Sequence, residues 1–205
     1  MTILSAQTIR ERVLRTQQGP DTPKFGGPGS YALPDALRFN IEPFEEAGKH
    51  TGMSYGLSGC GYDIRIGKIN QGAWRRGPNE RAGDKNWDPH GAQEVVIKPG
   101  AFLLLSSLER LEIPHDLAGF VCDKSTLARK GLALQNTVLE PGWKGYITLE
   151  LSNHGRETLC IRVGQPIAQV VFHQLDKPTE LPYVGKYQNQ AAEPTEAKFV
   201  PDDLP

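Results

Sequence analysis

Long apolar runs are missing from this 205-residue sequence. No stretch approaches the ~18 consecutive apolar residues of a transmembrane helix. The polar start MTILSAQTIRER has no signal-peptide core, so the expected location is cytoplasmic. Excess charge of one sign is missing too: 23 basic residues against 24 acidic leave a net charge of −1. That is no footprint for nucleic acid or an anionic membrane, and neither is expected as a partner. Cysteine is scarce. Cys60, Cys122 and Cys160 are too far apart for the close pairs of a zinc site or a CxxC redox motif, and three reduced, mostly buried thiols are expected. The five histidines form no HxH or HExxH pattern, so no zinc or other protein-ligated transition metal is expected.

Sixteen prolines and 22 glycines are present in quantity, which favours short strands joined by turns. One helix is predicted near the start, with Ser5 as N-cap and Ile9, Val13 and Leu14 at helical spacing to about Thr16. Residues 17–38 and 68–92 are too rich in Pro and Gly for regular elements and read as loop excursions, although Trp74 and Trp87 suggest that the second packs against something. From Glu94 onward the pattern is β: EVVI, AFLLLSSLERLEIP, LAGFVCD, GLALQNTVL, GYITLELSN, TLCIRVG and IAQVVFHQL, separated by turn residues. The expectation is a mainly β sandwich or barrel over residues 1–176, followed by a polar tail at 177–205 without a core of its own.

Chemistry concentrates between Asp123 and Asn153. Lys124-Ser125-Thr126-Leu127-Ala128-Arg129 offers hydroxyls, cations and the free N–H groups of a helical turn, a combination suited to phosphate. Arg129 follows Ser125 by about one turn, so both can face one ligand. The other reading is an ordinary capped turn with two solvated cations. In Tyr146–Leu151, alternation puts Ile147, Leu149 and Leu151 on one face and Tyr146, Thr148 and Glu150 on the other. That second face is either solvated or the wall of a pocket, where desolvation would make Glu150 a proton shuttle. Glu140, before Pro141-Gly142-Trp143, is a second acid at a turn. The glycines of Gly56–Gly61 do not match GxxxxGK[ST]; they read as sites of close backbone approach, with Asp63 and Arg65 tying strand to strand. Lys186, Tyr187 and Gln190 lie in the tail, which is either a lid over phosphates or simply exposed.

These segments resemble the dCTP deaminases of the dUTPase-like superfamily: ILSAQTIRE, FNIEPF, SYGLSGCGYDIRIG, DKSTLARKGL, TVLEPGWKGYITLELSN, PIAQVVF and GKYQNQ, in order along most of the chain. KSTLAR followed by LEPGWKGYITLE is the specific part. The resemblance implies a trimeric dUTPase-like β-barrel or jelly-roll-like fold. It also implies active sites built between subunits and Mg²⁺ carried on a nucleotide triphosphate. By position, Glu150 would be the catalytic acid and base. Lys124, Ser125, Thr126, Leu127, Ala128 and Arg129 would bind the triphosphate, with Ser125 and Arg129 also serving the reacting centre. Thr148 and Leu149 would line the nucleoside pocket, Glu140 would meet the deoxyribose and Gln169 the ligand. Tyr183, Lys186 and Gln190 would hold phosphates from the lid. Three features depart from the family pattern: Asp123 stands where glycine commonly precedes the cradle, the two loops are long, and Tyr183 is close to Lys186.

The implied reaction is hydrolysis of dCTP to dUTP and ammonia, a step in pyrimidine deoxynucleotide metabolism. Zinc-dependent nucleobase deaminases carry an HxE…PCxxC signature, which this sequence lacks. The water would then be activated by Glu150. Three rival readings stay open: a bifunctional deaminase and dUTP diphosphatase, a dNTP pyrophosphatase on the same fold, and a non-catalytic trimeric nucleotide-binding module.

Overall fold

The computed structural model describes residues 2–18, 35–69, 94–135 and 137–199. Most of the two long loops, with Trp74 and Trp87, lies outside the described residues. Helix α1 (Ala6–Gln17) begins where its capping chemistry begins: Ser5 has extended backbone angles and its Oγ accepts the Thr8 N–H. Ile9 and Val13 form its buried stripe.

Among the described residues, thirteen strands follow the turn residues closely. They are β1 (Thr2–Ile3), β2 (Asn40–Glu42), β3 (Gly48–His50), β4 (Met53–Ser58), β5 (Gly61–Ile69), β6 (Glu94–Ile97) and β7 (Phe102–Glu112), then β8 (Leu117–Asp123), β9 (Leu132–Leu134), β10 (Val138–Leu139), β11 (Lys144–Asn153), β12 (Leu159–Arg162) and β13 (Pro166–Gln174). A single helical turn, α2 (Ser125–Ala128), separates β8 from β9. The main sheet runs β10-β8-β13-β5-β7-β11-β9, and β6 pairs with β12 apart from it. Strand β5 joins the halves, pairing with β13 along its first residues and with β7 along its last. The mainly β class expected from the sequence is the observed one.

Both ladders made by β5 and β11 with β7 shift register, and β7 supplies the hydroxyls that absorb the shifts. At the first shift, Lys68 N–H donates to Ser106 Oγ at 3.1 Å; at the second, Ile147 N–H donates to Ser107 Oγ at 2.8 Å. These buried hydroxyls satisfy backbone donors that would otherwise be costly to leave unpaired. Beside them, Arg65 donates from its backbone N–H and Nε to Glu109 at 2.8 and 2.7 Å. Burial pushes the Glu109 carboxyl up, against these bonds from Arg65 that favour its charge.

Two expectations need correction. All three cysteines are exposed: Cys60 sits in the turn between β4 and β5, and Cys160 occupies an outward position of β12, where alternate residues are buried. Small apolar character did not decide their burial; strand parity and turn position did. Asp63 and Arg65 do tie elements together, but to different partners, Lys124 and Glu109 respectively. The glycine expectation agrees with the geometry: a Cβ on Gly61 would stand 2.5 Å from the Val170 carbonyl oxygen of β13.

Candidate active site

Glu150 stands on the partly open face of β11, whose residues alternate strictly between half-buried and buried from Lys144 to Asn153. The strand is flanked on both sides at this point. Glu150 pairs with Leu104 of β7, and its carbonyl accepts the Gln135 N–H just beyond β9 at 2.9 Å. Its side chain lines a cavity of about 970 Å³. The cavity floor also carries Thr148 from β11, Leu104 from β7 and Glu140 from the turn after β10. Desolvation raises the Glu150 carboxyl above the ordinary carboxylate range. That is the direction an acid–base group needs if it is to take and return a proton near neutrality.

The roof of the cavity is the C-terminal segment, which packs against the start of β11. Trp143 Nε1 donates to the Tyr187 carbonyl at 2.9 Å, and Lys144 N–H donates to Gln188 Oε1 at 2.8 Å. Asn189 N–H donates to the Lys144 carbonyl at 2.8 Å, and Tyr146 N–H to the Gln190 carbonyl at 3.1 Å. Further on, Thr195 N–H donates to Thr148 Oγ1 at 3.1 Å, and Lys68 forms an ion pair with Glu193. The described part of the tail is therefore fastened along the strand that bears Glu150.

Five of the expected site residues meet around this one cavity: Glu140, Thr148, Glu150, Tyr183 and Gln190. Four other expectations fall elsewhere. Leu149 is fully buried on the opposite face of β11, outside the cavity lining. Lys186 Nζ donates to the Lys198 carbonyl and sits 5.7 Å from the Tyr187 ring centroid. Gln169 lies on β13 between Cys122 of β8 and Asp63 of β5, and its amide donates to Ser58 Oγ at 2.9 Å. The segment Lys124–Arg129 forms one turn, closed by Arg129 N–H to the Ser125 carbonyl at 3.1 Å, outside the cavity lining. Ser125, Thr126, Ala128 and Arg129 are exposed, and Leu127 is the buried anchor.

Two groups near that turn were not among the expected site residues. Asp63 and Ser54 converge on Lys124 Nζ, at 2.6 and 3.0 Å. The only sequence signal for this contact is a carboxylate flanked by apolar residues in YDIRI, which says nothing about its partner. Ser107, which sets the register of β11 two residues before Glu150's neighbour Leu149, was likewise unmarked. Among the described residues, no group of three His, Cys, Asp or Glu side chains is placed to hold a metal ion. A cation carried on a ligand's own phosphate oxygens would need few such side chains, since Mg²⁺ retains water readily. No helix among the described residues is long and apolar enough to cross a membrane.

Comparison with known proteins gives a consistent result. A family model described as dCTP deaminase-like matches residues 32–175. A protein of Acidobacterium capsulatum named dCTP deaminase is 38% identical over 165 residues, covering 76% of this chain and 89% of its own. A protein of the same name from Campylobacter fetus is 40% identical, covering 73% and 85%. The solved 2'-deoxycytidine 5'-triphosphate deaminase of Agrobacterium tumefaciens aligns over 57% of this chain and 38% of its own, at 19% identity and a TM-score of 0.44.

Proposed function

The chain belongs to the dCTP deaminase-like family, and from that premise we propose that it hydrolyses dCTP to dUTP and ammonia. One observation carries the chemistry: Glu150, at the position expected for the acid–base residue, lines a cavity large enough for a nucleotide and is raised by desolvation. Pockets of ~300–1,000 Å³ are the usual size for such ligands.

In this reading the cytosine enters beside Thr148 and the Leu149 backbone, and Glu140 meets the deoxyribose. Ionised Glu150 takes a proton from a water at cytosine C4 and delivers it to N3. The hydroxide forms the C4–O bond. Glu150 then passes the second oxygen-bound proton to the amine, the C4–N bond breaks, and ammonia leaves as the C4 carbonyl forms. Ser125 and Arg129 hold the water and the oxygen that gains charge, a role in which preorganised donors are most effective. The turn at Ser125–Arg129 takes the triphosphate, with Lys124 and Gln169 beside it and Tyr183, Lys186 and Gln190 closing from the tail. The triphosphate would carry Mg²⁺, which would offset phosphate charge when bound.

Assembly follows from the same reading. The turn at 124–129 does not line the Glu150 cavity of its own chain. A homotrimer in which the turn of one subunit serves the cavity of the next brings all of these residues to one nucleotide. A soluble, cytoplasmic enzyme suits the substrate.

A second reading has one specific support: Glu140 shares the cavity with Glu150. A second carboxylate there would activate another water, which would make the enzyme a deaminase and dUTP diphosphatase in sequence. Incubation with dCTP and Mg²⁺ separates the readings by product. dUTP with ammonia is expected, dUMP with pyrophosphate would favour the bifunctional enzyme, and dCMP or no product would overturn both.

A further inference from the structure

The turn Ser125–Ala128 is too short to hold itself. Closing one isolated helical turn is unfavourable, and its N-cap, Lys124, makes no side-chain capping bond. Two adjacent residues anchor it from opposite sides. Asp123, the last residue of β8, turns toward β9, where its Oδ1 accepts the Leu134 N–H at 2.9 Å. Lys124 turns the other way. Its Nζ donates to Asp63 Oδ2 at 2.6 Å and to Ser54 Oγ at 3.0 Å, and Ser54 Oγ in turn donates to Asp63 Oδ2 at 2.9 Å.

This ammonium is not poised for solvent or for a ligand. The Lys124 side chain is 11% exposed and that of Asp63 4%. Asp63 Oδ1 is buried without a hydrogen-bond partner among the described residues. A buried carboxylate with half its acceptor capacity unused is tolerated because the lysine charge sits beside it, and removing that charge would strand it. A Lys124 that left Asp63 to meet a phosphate would do so at that cost.

We propose that Asp63 and Asp123 are positioning residues for the phosphate-binding turn, and that Lys124 serves the turn through Asp63 and not as a direct phosphate ligand. What the turn binds rests on the dCTP reading; the clamp itself does not. The β9 arm of the clamp also reaches the backbone of Glu150. Leu134 is followed by Gln135, whose N–H donates to the Glu150 carbonyl, so Asp123 registers the turn against the strand that flanks Glu150. This gives Asp123, an acid beside a phosphate site, a task that needs its charge turned away from the ligand.

The test is a mutant cycle read in two ways. Steady-state deamination of dCTP with Mg²⁺ is measured for the wild type, Asp63→Asn, Lys124→Met and the double variant, and amide hydrogen exchange of residues 124–134 is measured on the same proteins without nucleotide. Each single variant should lower kcat/KM by about 10–100-fold, the scale of a slightly misplaced binding group. The double variant should be no worse than the worse single, because the two residues act as one unit. Exchange across the turn should rise in all three. Multiplied losses, with Lys124→Met raising KM and leaving exchange unchanged, would make Lys124 a direct phosphate ligand and overturn the proposal. If Asp63→Asn does not fold, Ser54→Ala and Asp123→Ala open the same clamp from its two arms. Both should raise exchange, with Asp123→Asn milder because its amide oxygen still accepts; unchanged exchange in both overturns the clamp. A wild-type protein that makes no dUTP contradicts the dCTP reading alone, and the exchange data still decide the clamp.

Discussion

The wall that carries Glu150 and the turn that spans Ser125–Ala128 are built in opposite ways. Glu150 sits in a ten-residue strand with neighbours on both sides and a fully buried underside of Leu149 and Leu151. The turn has four residues, one buried side chain and two tethers. Proton transfer needs atoms held within a fraction of an ångström, and a central strand supplies that. A phosphate-binding turn needs N–H groups and hydroxyls left unpaired for a ligand, and residues left unpaired cannot also build a core. Rigidity therefore comes from packing in one region and from side-chain anchors in the other.

The largest predicted effect breaks only the chemistry. Glu150→Gln should lower kcat by about 10⁴-fold or more, since in the proposed reaction one group serves every proton transfer, while melting temperature and nucleotide binding stay close to wild type. Substantial turnover in that variant would remove Glu150 from the mechanism. Next is Leu149→Ala, which opens a cavity beneath the wall and should cost about 2–5 kcal/mol in a denaturant titration. A loss under 1 kcal/mol would mean that the wall is not held by its underside.

The turn should respond to backbone changes instead. Gly131 closes the turn at φ +87°, and a Cβ there would stand 2.4 Å from the Gly155 backbone nitrogen. Gly131→Ala should therefore cost roughly 1–3 kcal/mol of strain and raise KM for dCTP more than it lowers kcat. An unchanged KM would show that turn geometry does not govern binding. The smallest effect is electrostatic. Burial raises the Glu150 carboxyl in the folded state, so its contribution to stability is full below the ordinary carboxylate range and is lost as pH rises through the raised value. Glu150→Gln should flatten that part of the stability–pH curve measured by thermal melts from pH 4 to 8. An identical slope in both proteins would contradict the assigned direction.

Much of this was legible in the sequence, for local reasons. Ser5 marked the start of α1, Pro and Gly marked the strand ends, and period-two alternation put Glu150 opposite Leu149. The one-turn spacing of Ser125 and Arg129 also held. What was not legible depends on distant partners or on backbone groups. Nothing local says that Lys124 will find Asp63, 61 residues earlier. The docking of the tail uses mainly main-chain N–H and C=O groups of residues 187–190, which every residue carries. The exposed cysteines defied their average behaviour because strand parity and turn position outrank residue type. The register shifts that seat β11 were hidden for the same reason: a serine hydroxyl facing a backbone N–H leaves no pattern in the sequence.

The most direct measurement is product analysis by chromatography after incubating dCTP and Mg²⁺ with the wild-type protein and with Glu150→Gln. The account predicts dUTP and ammonia in equal amounts from the wild type and essentially none from the variant. Release of dCMP, or undiminished dUTP formation by Glu150→Gln, would contradict it.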